Sequence, residues 1–308
     1  MVLDRFDYHK KIFRQFSKTT VNINFSESFK NSDGGDLHAT ALDSDSSTGI
    51  IFVPGIWYPR EAYYNLICQL NKKYKVLIYD QRGHSYSHGD FCISSMIKDL
   101  QGIIKQYSKK NSVQNLFIIG HSMGGYISAL ATAYLGLDKV AGQILLAPPI
   151  SMSSTQRKIP TNISTFKIYI INLVRSLKPK YRSEIVREYV SFWYPRFIKK
   201  PYLFALRANN PEKIINEIKS TRPLTDILKK CKINTICFWG NKDSTLGIQG
   251  RLPQTYLDFV GKMARPGNRF RYQLLDNLSH QFNFDSKRII YVAGDNDIIE
   301  NKIFDFIN

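Results

Sequence analysis

The sequence lacks a long apolar run. Its most apolar later stretch, Phe166 to Val174, contains Lys167 and is much shorter than the roughly 20 residues that a helix needs to cross a bilayer. The first twenty residues alternate charged with apolar side chains, which is unlike the apolar core of a signal peptide. We therefore expect neither a transmembrane segment nor a secretory leader, and we predict a soluble, cytoplasmic protein.

Cysteine is scarce and follows no metal-binding or redox pattern. The four cysteines, Cys68, Cys92, Cys231 and Cys237, include no C-x-x-C pair, and neither they nor the six histidines have the spacing of metal ligands. Each cysteine lies in an apolar helix or strand pattern, where a free thiol packs as a small hydrophobe. We predict buried, reduced thiols and no metal site.

Acidic residues are also few, since 25 Asp and Glu accompany 43 Lys and Arg, a formal net charge of +18. The excess is regional, because residues 151–225 contain fifteen Lys and Arg against four Glu, a net +11. No zinc-ligand spacing, RNP-type segment or Gly/Arg tract accompanies this charge, which argues against a nucleic-acid partner. A solvated face, attraction of an anionic substrate and peripheral contact with lipid headgroups remain open.

The chain alternates short apolar runs with longer amphipathic segments, which predicts buried parallel strands joined by helices. Strands are predicted at 50–55, 75–80, 116–122, 143–148, 234–240 and 269–275, and helices at 60–73, 90–109, 123–136 and 252–263, with a final helix ending at Phe306. Before them, Val21 to Ser26 and Leu37 to Leu42 flank the turn-rich NSDGGD, which predicts a hairpin.

The alternation is interrupted between residues 151 and 225, where only helix-like pieces such as 163–177 and 183–194 occur. It resumes with the strand predicted at 234–240. The sequence therefore predicts an α/β core formed by residues 1–150 and 226–308, with a helical insertion at 151–225.

One serine lies where a predicted strand passes into a predicted helix. In IIGHSMGG, Ser122 lies between Gly120 and Gly124, and Gly125 follows. So tight a turn strains the backbone of its central residue, and glycines two residues to either side leave room for the crossing backbones. This setting favours a nucleophile elbow over a glycine-rich turn without chemistry.

A serine nucleophile needs a base within hydrogen-bond reach and a carboxylate that orients the base. Of the six histidines, His280 alone lies shortly after the last predicted strand, whereas His121, beside the serine, is expected to pack or bond locally. Asp243, in the loop GNKD after the preceding strand, is the leading candidate for the acid. Asp276 and Asp285 flank His280 and remain alternatives.

These features resemble the α/β-hydrolase superfamily over most of residues 48–308. The segments GHSMGG, DQRGHSYS and GNKD carry the resemblance, together with His280, in the order Ser, Asp, His. The resemblance implies a mostly parallel twisted sheet flanked by helices, with the insertion as a cap. It also implies that Ser122 is the nucleophile, His280 the general base and Asp243 the orienting acid.

The resemblance further implies an oxyanion hole of two backbone N–H groups, one after the nucleophile and one in the loop after an early strand. In this chain they are those of Met123 and Ile56, the latter in the loop VPGIWYP. That loop lacks the family's His-Gly mark, because Pro54 stands where the histidine would be, so Trp57 remains an alternative donor. In DQRGHSYS a serine replaces a glycine, and we expect this segment to be structural, with Arg82 in a buried polar network.

The chemistry predicted from these residues is acyl transfer to water. Ser122 attacks the carbonyl of an ester or thioester, His280 passes the proton to the leaving group, and water then cleaves the acyl-enzyme. This reaction requires no cofactor. Alternatives are acyl transfer to an alcohol or cleavage of a carbon–carbon bond by the same triad, and a ligand-binding protein without catalysis.

The insertion is rich in aromatic residues, which either pack it onto the core or line an apolar pocket. From them we predict a substrate with a hydrophobic acyl or aryl portion. The sequence does not predict the oligomeric state. The aromatic residues are Tyr181, Tyr189, Phe192, Trp193, Tyr194, Phe197, Tyr202 and Phe204.

Overall fold

The computed structural model describes four parts of the chain. They are residues 23–134 except 57, 59 and 86, residues 140–151, residues 216–264 except 219, 244 and 245, and residues 269–308 except 279, 281–283, 286–291 and 294–296. The helical pieces and the aromatic residues predicted for the insertion lie outside the described residues, and so does Trp57.

An eight-stranded sheet forms the centre of the described structure. Its strands are β1 (Ile23–Lys30), β2 (Asp36–Leu42), β3 (Thr48–Val53), β4 (Lys75–Tyr79), β5 (Asn115–His121), β6 (Val140–Leu146), β7 (Asn234–Gly240) and β8 (Phe270–Leu275). Their order across the sheet is β1-β2-β4-β3-β5-β6-β7-β8. The hairpin β1–β2 and the pair β2–β4 are antiparallel, and every pair from β4 to β8 is parallel. The predicted mostly parallel sheet is confirmed.

Helices cover both faces of this sheet. They are α1 (Tyr64–Asn71), which follows a 3-10 turn at Arg60–Tyr63, α2 (Ile93–Lys110), α3 (Met123–Tyr134), α4 (Leu224–Leu228), α5 (Gln254–Met263) and α6 (Asp297–Ile307). Buried side chains of α2 to α5 pack with Ile51 and Ile118 on one face. Those of α1 and α6 pack with Ile50 and Ile119 on the other. Successive strand residues point to opposite faces, so the central strands are apolar throughout because both faces are covered.

The strand predicted at 143–148 is shifted toward the N-terminus in the structure. β6 begins at Val140 and ends at Leu146, because Ala147 has a positive φ of 47°. Pro148 follows and has no N–H for the ladder. This early end places Pro148 to Ile150 above the carboxyl edge of the sheet, where the insertion begins.

The two ends of the insertion meet. The N–H of Leu224 donates a hydrogen bond of 2.8 Å to the carbonyl of Ile150, so the chain returns to the core beside the point where it left. α4 begins at Leu224, two residues before the position 226 at which the core is predicted to resume. The division into core and cap itself remains a prediction.

Arg82 lies in the buried polar network expected from the sequence. Its guanidinium donates to both carboxylate oxygens of Asp99, at 2.6 and 2.9 Å, and to Asp33 and Ser32. Burial alone would lower the pKa of Arg82, but its hydrogen bonds to the two carboxylates raise it above the usual value. The network joins three parts of the chain, namely the β1–β2 turn, the segment that follows β4, and helix α2.

All four cysteines are free thiols, but only Cys237 is buried as predicted. Cys68, Cys92 and Cys231 are partly exposed. None of the described helices combines the length and hydropathy that a membrane span requires.

Candidate active site

Ser122 occupies the turn between β5 and α3. Its φ is 53°, in the left-handed region that residues with a Cβ rarely adopt. Its N–H donates to the carbonyl of Leu146 at 2.8 Å, and its own carbonyl accepts from the N–H of Gly125 at 2.9 Å. The turn is thus hydrogen-bonded to the neighbouring strand and to the first turn of the helix.

Glycines make this turn sterically possible. A Cβ on Gly120 would overlap the carbonyl of Gly124 and the hydroxyl of Ser128. A Cβ on Gly124 would overlap the carbonyl oxygens of Val53 and Pro54. The helix and the loop after β3 can therefore approach each other only because these positions lack a side chain.

The structure brings Ser122, His280 and Asp243 together in one hydrogen-bonded chain. His280 Nε2 lies 3.0 Å from Ser122 Oγ, and His280 Nδ1 lies 2.7 Å from Asp243 Oδ2. A carboxylate only accepts hydrogen bonds, so Nδ1 carries the proton and Nε2 accepts from the serine hydroxyl. This is the tautomer in which the imidazole can remove a proton from the serine.

Asp243 is fully buried and held by its own loop. Its second oxygen, Oδ1, accepts from the N–H of Leu246 at 2.9 Å. The adjacent Lys242 N–H donates to the carbonyl of Leu278 at 2.9 Å, so the loop after β7 is bonded to the loop that carries His280. The orientation of the carboxylate is therefore fixed by hydrogen bonds within this loop pair.

Of the two alternative acids, Asp276 is bonded away from His280. Asp276 is exposed, and its carboxylate accepts from the side-chain amide of Asn241 at 2.9 Å. The backbone of Asp285 belongs to a two-residue strand, and its side chain lies outside the described residues. The geometry favours Asp243, and the catalytic roles of the three residues remain predictions.

His121 is bonded locally, as its position beside the serine predicts. Its Nε2 lies 2.9 Å from the carbonyl of His280, and its Nδ1 lies 2.7 Å from the hydroxyl of Tyr63. Complete burial, with a contribution from the nearby His280, lowers the pKa of His121 to about 3. The ring is therefore neutral at physiological pH, with Nε2–H donating to the carbonyl and Nδ1 accepting from Tyr63.

The two predicted oxyanion donors lie in segments that contact each other at the serine. Met123 is the first residue of α3, so its N–H has no acceptor within the helix. Ile56 follows Gly55, and a Cβ on Gly55 would lie 3.2 Å from the Cβ of Ser122. Trp57 lies outside the described residues. The geometry is compatible with a two-donor oxyanion hole, whose members remain predictions.

Sequence reasoning missed Tyr63 and Gln81, whose side chains reach the loop after β3. Tyr63 Oη accepts from the N–H of Gly55 at 3.0 Å, and Gln81 Nε2 donates to the carbonyl of Pro54 at 2.7 Å. Gln81 belongs to the recognised DQRGHSYS segment, but nothing in the spacing of either residue marks it as a neighbour of the serine.

Comparison with known proteins identifies a family whose model matches most of this chain. Residues 45–285 match the family model described as "Serine aminopeptidase, S33". Protein phosphatase methylesterase 1 of Candida albicans is 26% identical over 139 residues, which cover 44% of this chain and 38% of that protein. Monoglyceride lipase of Rattus norvegicus is 30% identical over 122 residues, 38% of each chain. The matched region thus spans about two fifths of these two relatives.

Solved structures share the fold. An esterase of Pyrococcus furiosus superposes with a TM-score of 0.61 at 16% sequence identity, over 97% of this chain and 92% of that one. At this identity the similarity concerns the α/β-hydrolase fold alone, the fold predicted from the sequence.

The neutral, buried His121 predicts how stability depends on pH. In the unfolded chain its pKa is near 6.5, whereas in the folded chain it is about 3, so between these values only the unfolded state binds the proton. The free energy of unfolding should therefore fall by up to about 1.4 kcal/mol per pH unit as the pH drops below 6.5.

Urea unfolding at pH 7.5 and pH 5 measures this effect. His121→Gln keeps one donor and one acceptor but cannot titrate, so it should lose less stability than the wild type over the same interval. Equal losses in the two proteins would contradict the prediction.

Proposed function

The chain belongs to the serine aminopeptidase S33 family of the α/β-hydrolase superfamily, and from this premise we propose that it is a serine hydrolase of carboxylic esters or thioesters. The observation that carries the proposal is the hydrogen-bonded chain from Asp243 through His280 to Ser122, with distances of 2.7 and 3.0 Å. A serine alone is a weak nucleophile, and this arrangement supplies both its base and the group that orients the base.

In the proposed reaction Ser122 Oγ attacks the substrate carbonyl while its proton passes to Nε2 of His280. The imidazolium then donates that proton to the leaving alcohol or thiol, and an acyl-enzyme remains on the serine. A water molecule, deprotonated by the same nitrogen, attacks the acyl-enzyme, and the imidazolium returns the proton to Ser122 Oγ as the acid is released. Asp243 stabilises the imidazolium through Nδ1–H in both halves of the reaction.

The carbonyl oxygen becomes negatively charged in each tetrahedral intermediate. We assign its stabilisation to the N–H groups of Ile56 and Met123, each of which would contribute about 3 to 4 kcal/mol to the transition state. Because Met123 begins α3, the partial positive charge at the helix N-terminus adds to the same effect.

Esters are favoured over peptides by the names of the relatives. The family description mentions an aminopeptidase, whereas two of the matched relatives are named as a methylesterase and a lipase. A hydrophobic acyl or aryl portion is proposed from the aromatic residues between Tyr181 and Phe204. A panel of esters, thioesters and aminoacyl amides of increasing chain length tests the choice of bond and substrate.

A fluorophosphonate probe should label the folded protein at Ser122, because the probe reacts only with a serine activated by its base. Mass spectrometry of the labelled peptide identifies the site, and Ser122→Ala should take up no label and have no esterase activity. Folded wild-type protein that stays unlabelled would favour the ligand-binding alternative.

Asp243→Asn should lower kcat by on the order of 10⁴, because the amide no longer holds the histidine in the reactive tautomer. Asp276→Asn is the matched control, since this carboxylate is exposed and bonded to Asn241, and its kcat should stay within about twofold of the wild type. Near-normal turnover in Asp243→Asn would show that another residue orients His280.

The basic insertion should favour anionic substrates. Residues 151–225 have a net charge of +11, which raises the local concentration of anions in a salt-dependent way. For a pair of esters that differ only by a distal carboxylate, kcat/KM should be higher for the anionic one at low salt, and the difference should shrink at 0.5 M salt.

Equal kcat/KM values without salt dependence would remove the electrostatic part of the proposal. Co-sedimentation with anionic vesicles, compared with neutral ones, separates attraction of the substrate from peripheral contact with lipid headgroups.

A further inference from the structure

A single peptide unit in the loop after β3 is hydrogen-bonded at both of its edges. The peptide joins Pro54 to Gly55. Its carbonyl oxygen accepts from Gln81 Nε2 at 2.7 Å, and its N–H donates to Tyr63 Oη at 3.0 Å. Both side chains are buried, with 2% and 1% of their surfaces exposed. Because the carbonyl of Pro54 can only accept, the side-chain amide of Gln81 must present its NH₂ group to it.

The next peptide unit carries the proposed oxyanion donor. It joins Gly55 to Ile56, and its carbonyl accepts from the N–H of Tyr58 at 3.3 Å. In a trans peptide the N–H points away from the carbonyl, so the N–H of Ile56 lies on the opposite edge. We find no acceptor for it among the described residues.

From this geometry we propose that Gln81 and Tyr63 are positioning residues for the oxyanion hole, and the inference rests on the proposed function. Gly55 has no side chain and turns freely about its backbone bonds, so the direction of the Ile56 N–H depends on what holds the preceding peptide. Gln81 and Tyr63 hold it from opposite edges. A small rotation of that peptide would move the donor away from the oxyanion, where misplacement by about 1 Å costs on the order of 100-fold in rate.

Tyr63 also connects this loop to the one that carries the base. Its hydroxyl hydrogen is directed to His121 Nδ1 at 2.7 Å, while His121 Nε2–H donates to the carbonyl of His280 at 2.9 Å. With its hydrogen used in this way, the Tyr63 oxygen is left as an acceptor for Gly55. A series of hydrogen bonds thus runs from the N–H of Gly55 through Tyr63 and His121 to the carbonyl of His280, and each bond in it has one donor and one acceptor.

Gln81→Met and Tyr63→Phe test the inference, since each keeps the size of the side chain but removes one hydrogen bond to the peptide. Gln81→Met is the cleaner variant, because Tyr63→Phe also removes the bond to His121. We expect kcat to fall 10- to 100-fold in each variant, with KM within about threefold of the wild type. Rates are normalised to the active sites titrated with fluorophosphonate, so that partial unfolding does not count as lost catalysis.

Binding of inhibitors provides a readout that a purely structural role would not change. A trifluoromethyl ketone places an oxyanion in the hole, whereas an uncharged amide analogue of the ester does not. The affinity for the ketone should fall by the same factor as kcat/KM, and the affinity for the amide should stay the same.

Two matched controls remove buried hydrogen bonds elsewhere. Gln143→Met loses the bonds of Gln143 to Thr132 and Thr235 within the core. Tyr64→Phe loses the hydrogen bonds of its hydroxyl to Thr40 and to the side chain of Arg60. Both controls should keep kcat within about twofold after active-site titration, even where they unfold at lower urea concentration.

The outcomes separate this inference from the proposed function. Suppose that the wild type hydrolyses esters, and that Gln81→Met and Tyr63→Phe either keep its kcat or lose activity only in proportion to the titrated active sites. The inference is then overturned, and the proposed function stands. If the wild type neither reacts with the phosphonate nor hydrolyses any ester, the proposed function is overturned and the inference with it.

Discussion

The arrangement of the site depends on one steric constraint, the tight turn that holds Ser122 at a φ of 53°. A residue with a Cβ in this region costs on the order of 1 to 3 kcal/mol, so the surrounding structure must prevent the turn from relaxing. β5 is buried from Leu116 to His121, and α3 is buried from Met123 to Thr132. The core therefore fixes both sides of the turn, and the strain is offset by packing that any relaxation would disrupt.

The topology of the sheet explains why distant residues meet at this turn. β5, β6, β7 and β8 are consecutive neighbours and parallel, so the loops after β7 and β8 emerge at the same edge as Ser122. A hydrogen bond from the N–H of Lys242 to the carbonyl of Leu278 also joins these two loops. Asp243 and His280 are thus placed by strand order first and by hydrogen bonds between their loops second.

A buried carboxylate and a buried imidazole are costly to desolvate unless each has hydrogen-bond partners. Asp243 has the N–H of Leu246 and the Nδ1–H of His280, and His121 uses both of its nitrogens. These polar groups accordingly remain in the interior, where the low dielectric strengthens their interactions.

The sequence predicts the parts of this site that follow local rules. Ser122 is recognisable from its glycines, and Asp243 and His280 from their positions after strands, because these signals lie within a few residues of the side chain concerned. Gln81 and Tyr63 follow no such rule, since their partners, Pro54 and Gly55, are 27 and 8 residues away in the chain. Such contacts follow from how helices and loops pack, which periodicity does not encode.

The bounds of the elements were predictable to within a few residues, with instructive exceptions. β1 extends to Lys30, beyond the predicted Ser26, because the strand continues to pair with β2 up to Asp36. The exposure of three thiols was not predictable, since an apolar pattern identifies a face of an element but not how far the core covers it.

The returning end of the insertion is bonded to the helix that follows the serine. Tyr126 donates its hydroxyl hydrogen to the carbonyl of Arg222 at 2.7 Å. Glu217 accepts from the N–H of Ile93 at 2.5 Å, at the N-terminus of α2, where the side chain of the N-cap residue Cys92 does not cap the helix. A carboxylate there satisfies a free N–H and interacts favourably with the helix dipole. Since Tyr126 lies in the first turn of α3, the segment that ends the insertion and the N–H of Met123 are held by the same helix.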